Sequence, residues 1–425
     1  MMLTLFGLFF AMLLLGAPIV VALGVSAMGV YVVNGDDFTS LIVLAYNAID
    51  SFPIMALPSF ILAGALMGDA GIARRLILVA ETAAGKSHGG LGSAAIISCL
   101  FFGSVSGSGP ATTAAISMLL VPAMIDKGYP RPYAASLTST AGGLGIIIPP
   151  SIPMVIYGVT ANESISGLFL AGVVPGTLLA LALLTLNYFR SRKHGYGAND
   201  SESNAVSLRQ VVWDAKWSLM APLVILGGIY SGFFTPTEAA IVAVFYSLFV
   251  GVVIHRESTF AGFKSALEST TWLTGRVLII LFAATAFGRV LVENQIPNAI
   301  AESILSLTDN LYLIWVVVIA FLIVLGMFME TLAMILIVTP ILLPIMTAFG
   351  VDPMHFGVVL VACCVIGFST PPLGENMFIA SSISRAPLET IAVKAFPAVL
   401  AMIAVVLMLA AFPKLSLFLP ELAGY

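Results

Sequence analysis

The chain has 425 residues, 60% of them hydrophobic and 9% charged, with a formal net charge of −4. Soluble domains carry about 25% charged residues, so the composition excludes a soluble enzyme and fits an all-α polytopic membrane protein. Four His and three Cys cannot supply a zinc cluster or a disulfide framework. Cys99, Cys363 and Cys364 read as small core residues.

In chain order, apolar runs cover residues 3–15 and 18–33, and an acidic turn follows at Asn34-Gly35-Asp36-Asp37. Residues 38–49 and 72–83 read as amphipathic interfacial arms flanking a span at 53–67. Residues 91–124 form two short apolar runs separated by Gly103-Ser104-Val105-Ser106-Gly107-Ser108-Gly109-Pro110. A longer run, 133–159, is broken at Pro149-Pro150-Ser151-Ile152-Pro153, and a span at 165–188 ends in a basic cluster. Residues 191–216 read as a cytoplasmic linker. Spans at 217–231, 236–254 and 272–291 follow, with further arms at 260–269 and 296–306. A second pair of short runs, 312–325 and 332–346, is separated at 326–331. The run from Phe356 to Ser384 is broken at Ser369-Thr370-Pro371-Pro372, and residues 391–412 form a last span.

The punctuation repeats. Pro149-Pro150 recurs 222 residues later as Pro371-Pro372. The same offset carries Pro122 onto Pro344, Gly128 onto Gly350, Gly145 onto Gly367 and Pro175 onto Pro397. Lys and Arg concentrate in cytoplasmic loops. With all of them inside except Arg276, Arg289 and Lys414, the two halves insert upside down relative to each other. Each arm of the short pairs has about 12–15 residues, hence about 18–22 Å at 1.5 Å per residue. That is too short for the roughly 30 Å hydrocarbon core, so each pair reads as a re-entrant hairpin. The expected architecture is about ten spans and two hairpins. Residues 1–190 form a first inverted repeat, with hairpin 90–125 opening to the cytoplasm. Residues 217–425 form the second, with hairpin 311–347 opening to the periplasm. Residues 90–160 and 311–384 would form a transport domain and the remainder a scaffold.

Irregular backbone at membrane depth persists where it lines a protein cavity, and broken helices are where transporters hold ions and substrates. A first Na⁺ site is therefore expected at Ser104, Ser106, Ser108, Gly142, Gly145 and Pro149, whose hydroxyls and freed carbonyls suit a dehydrated cation. The repeat places a second at Gly326, Met329, Glu330, Gly367, Ser369 and Thr370. An organic anion would sit between the hairpin tips, on Ser106, Ser108, Thr112, Thr331 and Asn376, facing two helix N-termini. Glu330 and Glu375 read either as cation ligands or as partners of arginine. Arg276 and Arg289 read first as snorkelling side chains and second as anion ligands. Trp217, Trp272 and Trp315 read as an interfacial belt. No phosphate loop, zinc-protease motif or ATPase motif is present, and no nucleic-acid partner is expected.

The stretches FGSVSGSGPATTAAI (102–116), GGLGIIIPPSIPMVIYG (142–158) and GFSTPPLGENMF (367–378) resemble the large membrane subunit of TRAP (tripartite ATP-independent periplasmic) transporters, the DctM-like family. The resemblance runs over essentially the whole chain. It implies an elevator-type secondary transporter of the ion transporter superfamily in the bacterial inner membrane. It also implies a Na⁺ gradient driving import of organic acids such as C4-dicarboxylates or sialic acid. The implied partners are a small four-helix membrane subunit and a periplasmic substrate-binding protein. The alternatives are a stand-alone carboxylate carrier or antiporter of the same superfamily, and an uncoupled channel or scaffold.

Overall fold

The computed structural model describes residues 2–35, 37–84, 89–196, 207–308, 310–372 and 374–425, and every regular element among them is helical. Asp36, Lys86, Asp309 and residues 197–206 of the predicted linker lie outside the described residues.

The first half begins with helices Met2–Leu14 and Ile19–Asn34. The amphipathic arm Phe38–Ile49 follows, capped by Asp37, which accepts from the Thr39 amide. A short turn leads into Ala56–Asp69 and a second arm, Ile72–Ala84. The first hairpin is Gly90–Ser106 and Gly109–Asp126. The first broken span is Arg131–Gly142, a tight turn at Gly143–Ile146, and Ile152–Ala161. Helix Ile165–His194 closes this half. The second half runs through Leu208–Asp214, Lys216–Tyr230, Pro236–Phe249 and Phe260–Glu293, then the arm Ile296–Leu307. Its hairpin is Leu311–Gly326 and Thr331–Ala348, and its broken span is Pro353–Gly367 and Glu375–Ser384. Leu388–Ala411 and Lys414–Ala423 end the chain. Seven helices among the described residues are each long and apolar enough to cross a membrane alone, and two of them are the second hairpin arms Gly109–Asp126 and Thr331–Ala348, 18 residues each and longer than the sequence reading gave them; both broken spans are assembled from shorter pieces.

The helix ends repeat as the punctuation does. The second hairpin arms, Gly109–Asp126 and Thr331–Ala348, coincide at both ends under the 222-residue offset, and Arg131 maps onto Pro353. After the double proline the offset becomes 223, carrying Ile152 onto Glu375 and Ile165 onto Leu388. Both Pro-Pro bonds are cis. Each hairpin's second arm packs against the distal half of the other repeat's broken span: Gly109–Asp126 on Glu375–Ser384, and Thr331–Ala348 on Ile152–Ala161. This reciprocal packing brings the two tips together.

Close backbone approach carries the crossings, as small residues allow between membrane helices. A Cβ on Gly103 would stand 2.5 Å from the Gly145 Cα, and one on Gly367 2.6 Å from the Gly326 carbonyl carbon. Overpacking of this kind costs about 1–3 kcal/mol. Gly367→Ala is therefore expected to lower the yield and thermal stability of the detergent-extracted protein, whereas Gly68→Ala, with open space around it, leaves both unchanged. Equal behaviour of the two variants would remove the crossing from the account of stability.

The base of the first hairpin is tied by polar contacts. Buried Asn187 donates to the Gly89 carbonyl and the Ser93 hydroxyl, both at 3.0 Å, and accepts from the Tyr133 hydroxyl at 3.0 Å. At the arm Ile72–Ala84, Arg75 donates to Glu257 at 2.7 Å, and this hydrogen bond holds the Glu257 carboxyl below its usual range. The three cysteines are buried and free, as their apolar surroundings imply.

Three expectations are corrected. The predicted arm 260–269 and span 272–291 are one 34-residue helix. Its counterpart in the first half breaks at Asp50-Ser51-Phe52-Pro53, but Ser269-Thr270-Thr271 contains no proline and every amide stays in the ladder. Trp315 is 2% exposed and meets His355 edge-on, so it is core and not belt. Trp272 stays largely exposed, as a belt residue would, and also borders the cavity described below. The last helix, Lys414–Ala423, was not expected; it docks on the chain so that the Ser416 hydroxyl lies 2.7 Å from His355 Nδ1.

Candidate functional site

A cavity of about 300 Å³ opens where the tips meet. One wall is the first tip, Gly107 to Ala111; the opposite wall is Glu330, Thr331 and Leu332 of the second. Ile152 and Pro153 come from the first broken span, Phe368 and Glu375 from the second. Helix Phe260–Glu293 supplies Trp272, Leu273 and Arg276. Both second arms begin at this cavity, so two helix N-termini with unbonded amides face it.

Ser108 and Glu330 are equivalent under the repeat, and each precedes a second arm. Ser108 behaves as an N-cap, its hydroxyl accepting from the Ala111 amide at 3.4 Å. Glu330 makes no cap and instead accepts from Arg276 at 2.6 Å. Arg276 also lies over the Trp272 ring, 5.5 Å from its centroid. Thus an acidic partner and an aromatic face hold the half-exposed Arg276 guanidinium at the tips. Among the described residues, Arg276, Glu330 and Glu375 are the charged ones lining the cavity. Glu375 makes no ion pair among the described residues.

The first predicted constellation converges. Ser106 Oγ lies 2.9 Å from Thr112 Oγ1, and the Thr112 hydroxyl donates to the Ser108 carbonyl at 2.7 Å. Gly145 is packed so closely on this group that an added Cβ would lie 2.5 Å from Thr112 Oγ1 and 3.0 Å from the Ser108 carbonyl oxygen. Gly142 abuts Thr113, whose hydroxyl is buried with no hydrogen-bond partner among the described residues. Ser104 turns back to the Phe101 carbonyl at 2.8 Å, away from this group. Pro149 is buried next to Pro150, behind the first tip: the Pro150 carbonyl oxygen would lie 3.1 Å from a Cβ on Gly107.

The second constellation is more dispersed. Gly326 and Gly367 touch backbone to backbone. The Thr370 hydroxyl donates to the Ile366 carbonyl at 2.6 Å, and Thr331 Oγ1 is buried without a hydrogen-bond partner. Met329 is half-buried beside them. Ser369 and Asn376, however, reach across to the first broken span: both donate to the Ser139 carbonyl, at 3.1 and 3.3 Å. Asn376 Oδ1 remains buried and unpaired, and its amide group lies against Gly109 of the first tip.

Neutral hydroxyl and carbonyl oxygens, some without partners, are the donor set a dehydrated Na⁺ requires, and a buried oxygen without a partner costs free energy until something occupies it. Sequence reasoning missed Thr113, Ser139 and the placement of Arg276 and Trp272. Thr113 adjoins Thr112 at the tip and was available as a signal; the others depend on which face of a continuous helix meets its neighbour.

A family model for the tripartite ATP-independent periplasmic transporter DctM component matches residues 6–415. Over 97% of its length the chain is 42% identical to the isethionate TRAP transporter permease protein DctMQ of Oleidesulfovibrio alaskensis, and it spans 65% of that protein. It is 36% identical to the C4-dicarboxylate TRAP transporter large permease protein DctM of Rhodobacter capsulatus, over 99% of both chains. The sialic acid TRAP transporter large permease protein SiaM of Vibrio cholerae is 37% identical over 89% of both. In fold it resembles the crystal structure of the Alcanivorax borkumensis YdaH transporter, with a TM-score of 0.66, 13% identity, and coverage of 89% of this chain and 88% of that one. The relatives are permeases and not enzymes, and the apolar helices together with these relatives make this a multi-pass inner-membrane protein. The chain belongs to the DctM-component family of the tripartite ATP-independent periplasmic transporters.

Proposed function

We propose that this chain is the translocating subunit of a Na⁺-coupled importer of organic acid anions, and that the anion's acid group binds Arg276 in the tip cavity. The observation that carries this reading is the Arg276–Glu330 pair, 2.6 Å apart between two helix N-termini. An arginine fork matches a carboxylate in two parallel hydrogen bonds. Glu330 takes one nitrogen of that fork, Arg276 Nη2. An incoming carboxylate displaces it, and the two N-termini and the Ser108 hydroxyl take up the remaining lone pairs.

Charge then demands coupling. One arginine and two glutamates already leave the cavity lining one negative charge in excess, and an anionic cargo adds another. A cation about 8 Å away offsets about 2 kcal/mol at an effective dielectric of about 20, roughly a 30-fold gain in anion affinity. Ser106, Ser108, Thr112, Gly142 and Gly145, with Thr113, form the first cation site in this reading. Gly326, Gly367 and Thr370 form the second. Cargo passes from Arg276 to the tips, and cargo and cations then move together as the tip region shifts against the helix Phe260–Glu293, in the elevator manner. The partners are a small four-helix membrane subunit and a periplasmic binding protein that delivers the cargo. Isethionate, C4-dicarboxylates and sialic acid, named for the relatives, are the acids to try first.

The test is uptake into proteoliposomes holding this chain and its small subunit, supplied with candidate loaded binding proteins. Uptake is expected only with an inward Na⁺ gradient and only with a binding protein. Uptake indifferent to Na⁺ would remove the coupling, and uptake by the chain alone would support a stand-alone carrier.

A further inference from the structure

A second cavity, of about 390 Å³, lies further along the same seam. The helix Phe260–Glu293, the second half of the first broken span and the second arm of the second hairpin line both cavities. The second is walled by Leu281, Leu336 and Pro340, and its polar lining is Ser51, Thr160, Thr285 and Arg289. Arg289 stands 13 residues beyond Arg276, about 20 Å along the helix axis at 1.5 Å per residue.

The Arg289 guanidinium is positioned but not saturated. Its Nε donates to Glu293 Oε1 at 2.5 Å, while the Tyr31 hydroxyl donates to Glu293 Oε2 at 3.1 Å. Both carboxylate oxygens of Glu293 are therefore engaged, and its attraction for Arg289 is spent through the stem nitrogen. The two terminal amino groups of Arg289 make no hydrogen bond among the described residues. Ser51 Oγ, on the same cavity, is buried and likewise unpartnered. A half-exposed guanidinium with free terminal donors, on the same mostly apolar chamber as a free hydroxyl, is a receptor for the acid group of a small organic anion.

We propose that this chamber is a second anion station, where Arg289 takes the carboxylate or sulfonate head of the cargo before Arg276 does. The inference rests on the reading that Arg276 binds cargo. In the orientation implied by the Lys and Arg distribution, the Glu293 end faces the periplasm, so Arg289 meets an imported anion first. Two cationic stations on one helix divide the roughly 30 Å crossing into steps.

The test uses the complex with its small subunit in proteoliposomes, with isethionate, succinate and N-acetylneuraminate as radiolabelled probes, each with a matching binding protein. Arg289→Gln is expected to raise KM for uptake from the binding-protein face about tenfold, with kcat within twofold, and to leave KM for exit from the opposite face unchanged. Glu293→Gln breaks the same ion pair yet leaves Arg289 in place, so KM is expected to stay level or fall. If both variants raise KM alike, or if Arg289→Gln acts equally from both faces, the pair is structural and the station is overturned. An Arg276→Gln variant that retains normal KM and kcat would sink the cargo site itself while leaving the sidedness of Arg289→Gln to be read independently. Failure of the wild-type complex to carry any of the three probes overturns both.

Discussion

Replacing Arg276 by glutamine is expected to lower kcat/KM for uptake at least 100-fold while the protein still reaches the membrane. Two losses combine. The substitution removes a charge-assisted fork, about 1.5–3 kcal/mol for a hydrogen bond to a charged group, which is roughly 10- to 100-fold at about 1.4 kcal/mol per decade. It also leaves Glu330, only 23% exposed at its side chain, without its cation in a cavity that must admit another anion. Arg276→Lys keeps the charge but loses the planar fork and the stacking on Trp272, so it is expected to recover less than a tenth of the activity. Glu330→Gln should move the other way in binding: with the internal competitor gone, KM for the anion falls severalfold, while turnover falls because cargo leaves more slowly. Uptake kinetics of the three variants, normalised to protein in the vesicle, decide the matter. Wild-type KM in Glu330→Gln would show that cargo does not compete for Arg276.

The parts of the fold legible in the sequence were those written in backbone chemistry. Pro149-Pro150 and Pro371-Pro372 cannot donate to a helical ladder, so the two breaks are visible without coordinates. The glycines at 145 and 367 mark crossings where any Cβ would collide. That is why the 222-residue spacing of punctuation recurs at both ends of the second hairpin arms and at the start of the broken spans. Side-chain direction was not legible in the same way. Arg276 lies on an uninterrupted 34-residue helix, and nothing local says whether it points to lipid headgroups or to the tip of the second hairpin. Trp315 fails as a belt residue for that reason, since a ring near a span end is placed by what packs beside it. Ser139 contributes a carbonyl, which every residue has, so no residue-type signal could announce that Ser369 and Asn376 both bond to it.

The first proposed cation site yields the other large effect. Thr112→Val preserves the shape of a buried side chain that Gly145 packs against, and it deletes one oxygen from a cluster held by contacts of 2.9 and 2.7 Å. Ser106→Ala deletes the neighbouring one. If these oxygens hold the coupling ion, each loss is comparable to that of a hydrogen bond to a charged group, about 1.5–3 kcal/mol. The Na⁺ concentration for half-maximal uptake then rises roughly 10-fold or more. Thr370→Ala should act similarly at the second site, but more weakly, because its hydroxyl is already given to the Ile366 carbonyl. Ser104→Ala serves as a control on the same hairpin, since its hydroxyl turns to the Phe101 carbonyl and away from the cluster; its Na⁺ dependence is expected to match the wild type. The measurement is uptake against Na⁺ concentration at fixed cargo, with choline replacing Na⁺ and membrane abundance followed in parallel. Deletion of either oxygen removes a cation ligand and little packing, so ion dependence must shift before abundance does. A Thr112→Val protein with an unchanged Na⁺ profile, or one whose uptake falls only in step with its abundance, would reassign the cluster to helix packing and leave the coupling ion to be sought elsewhere.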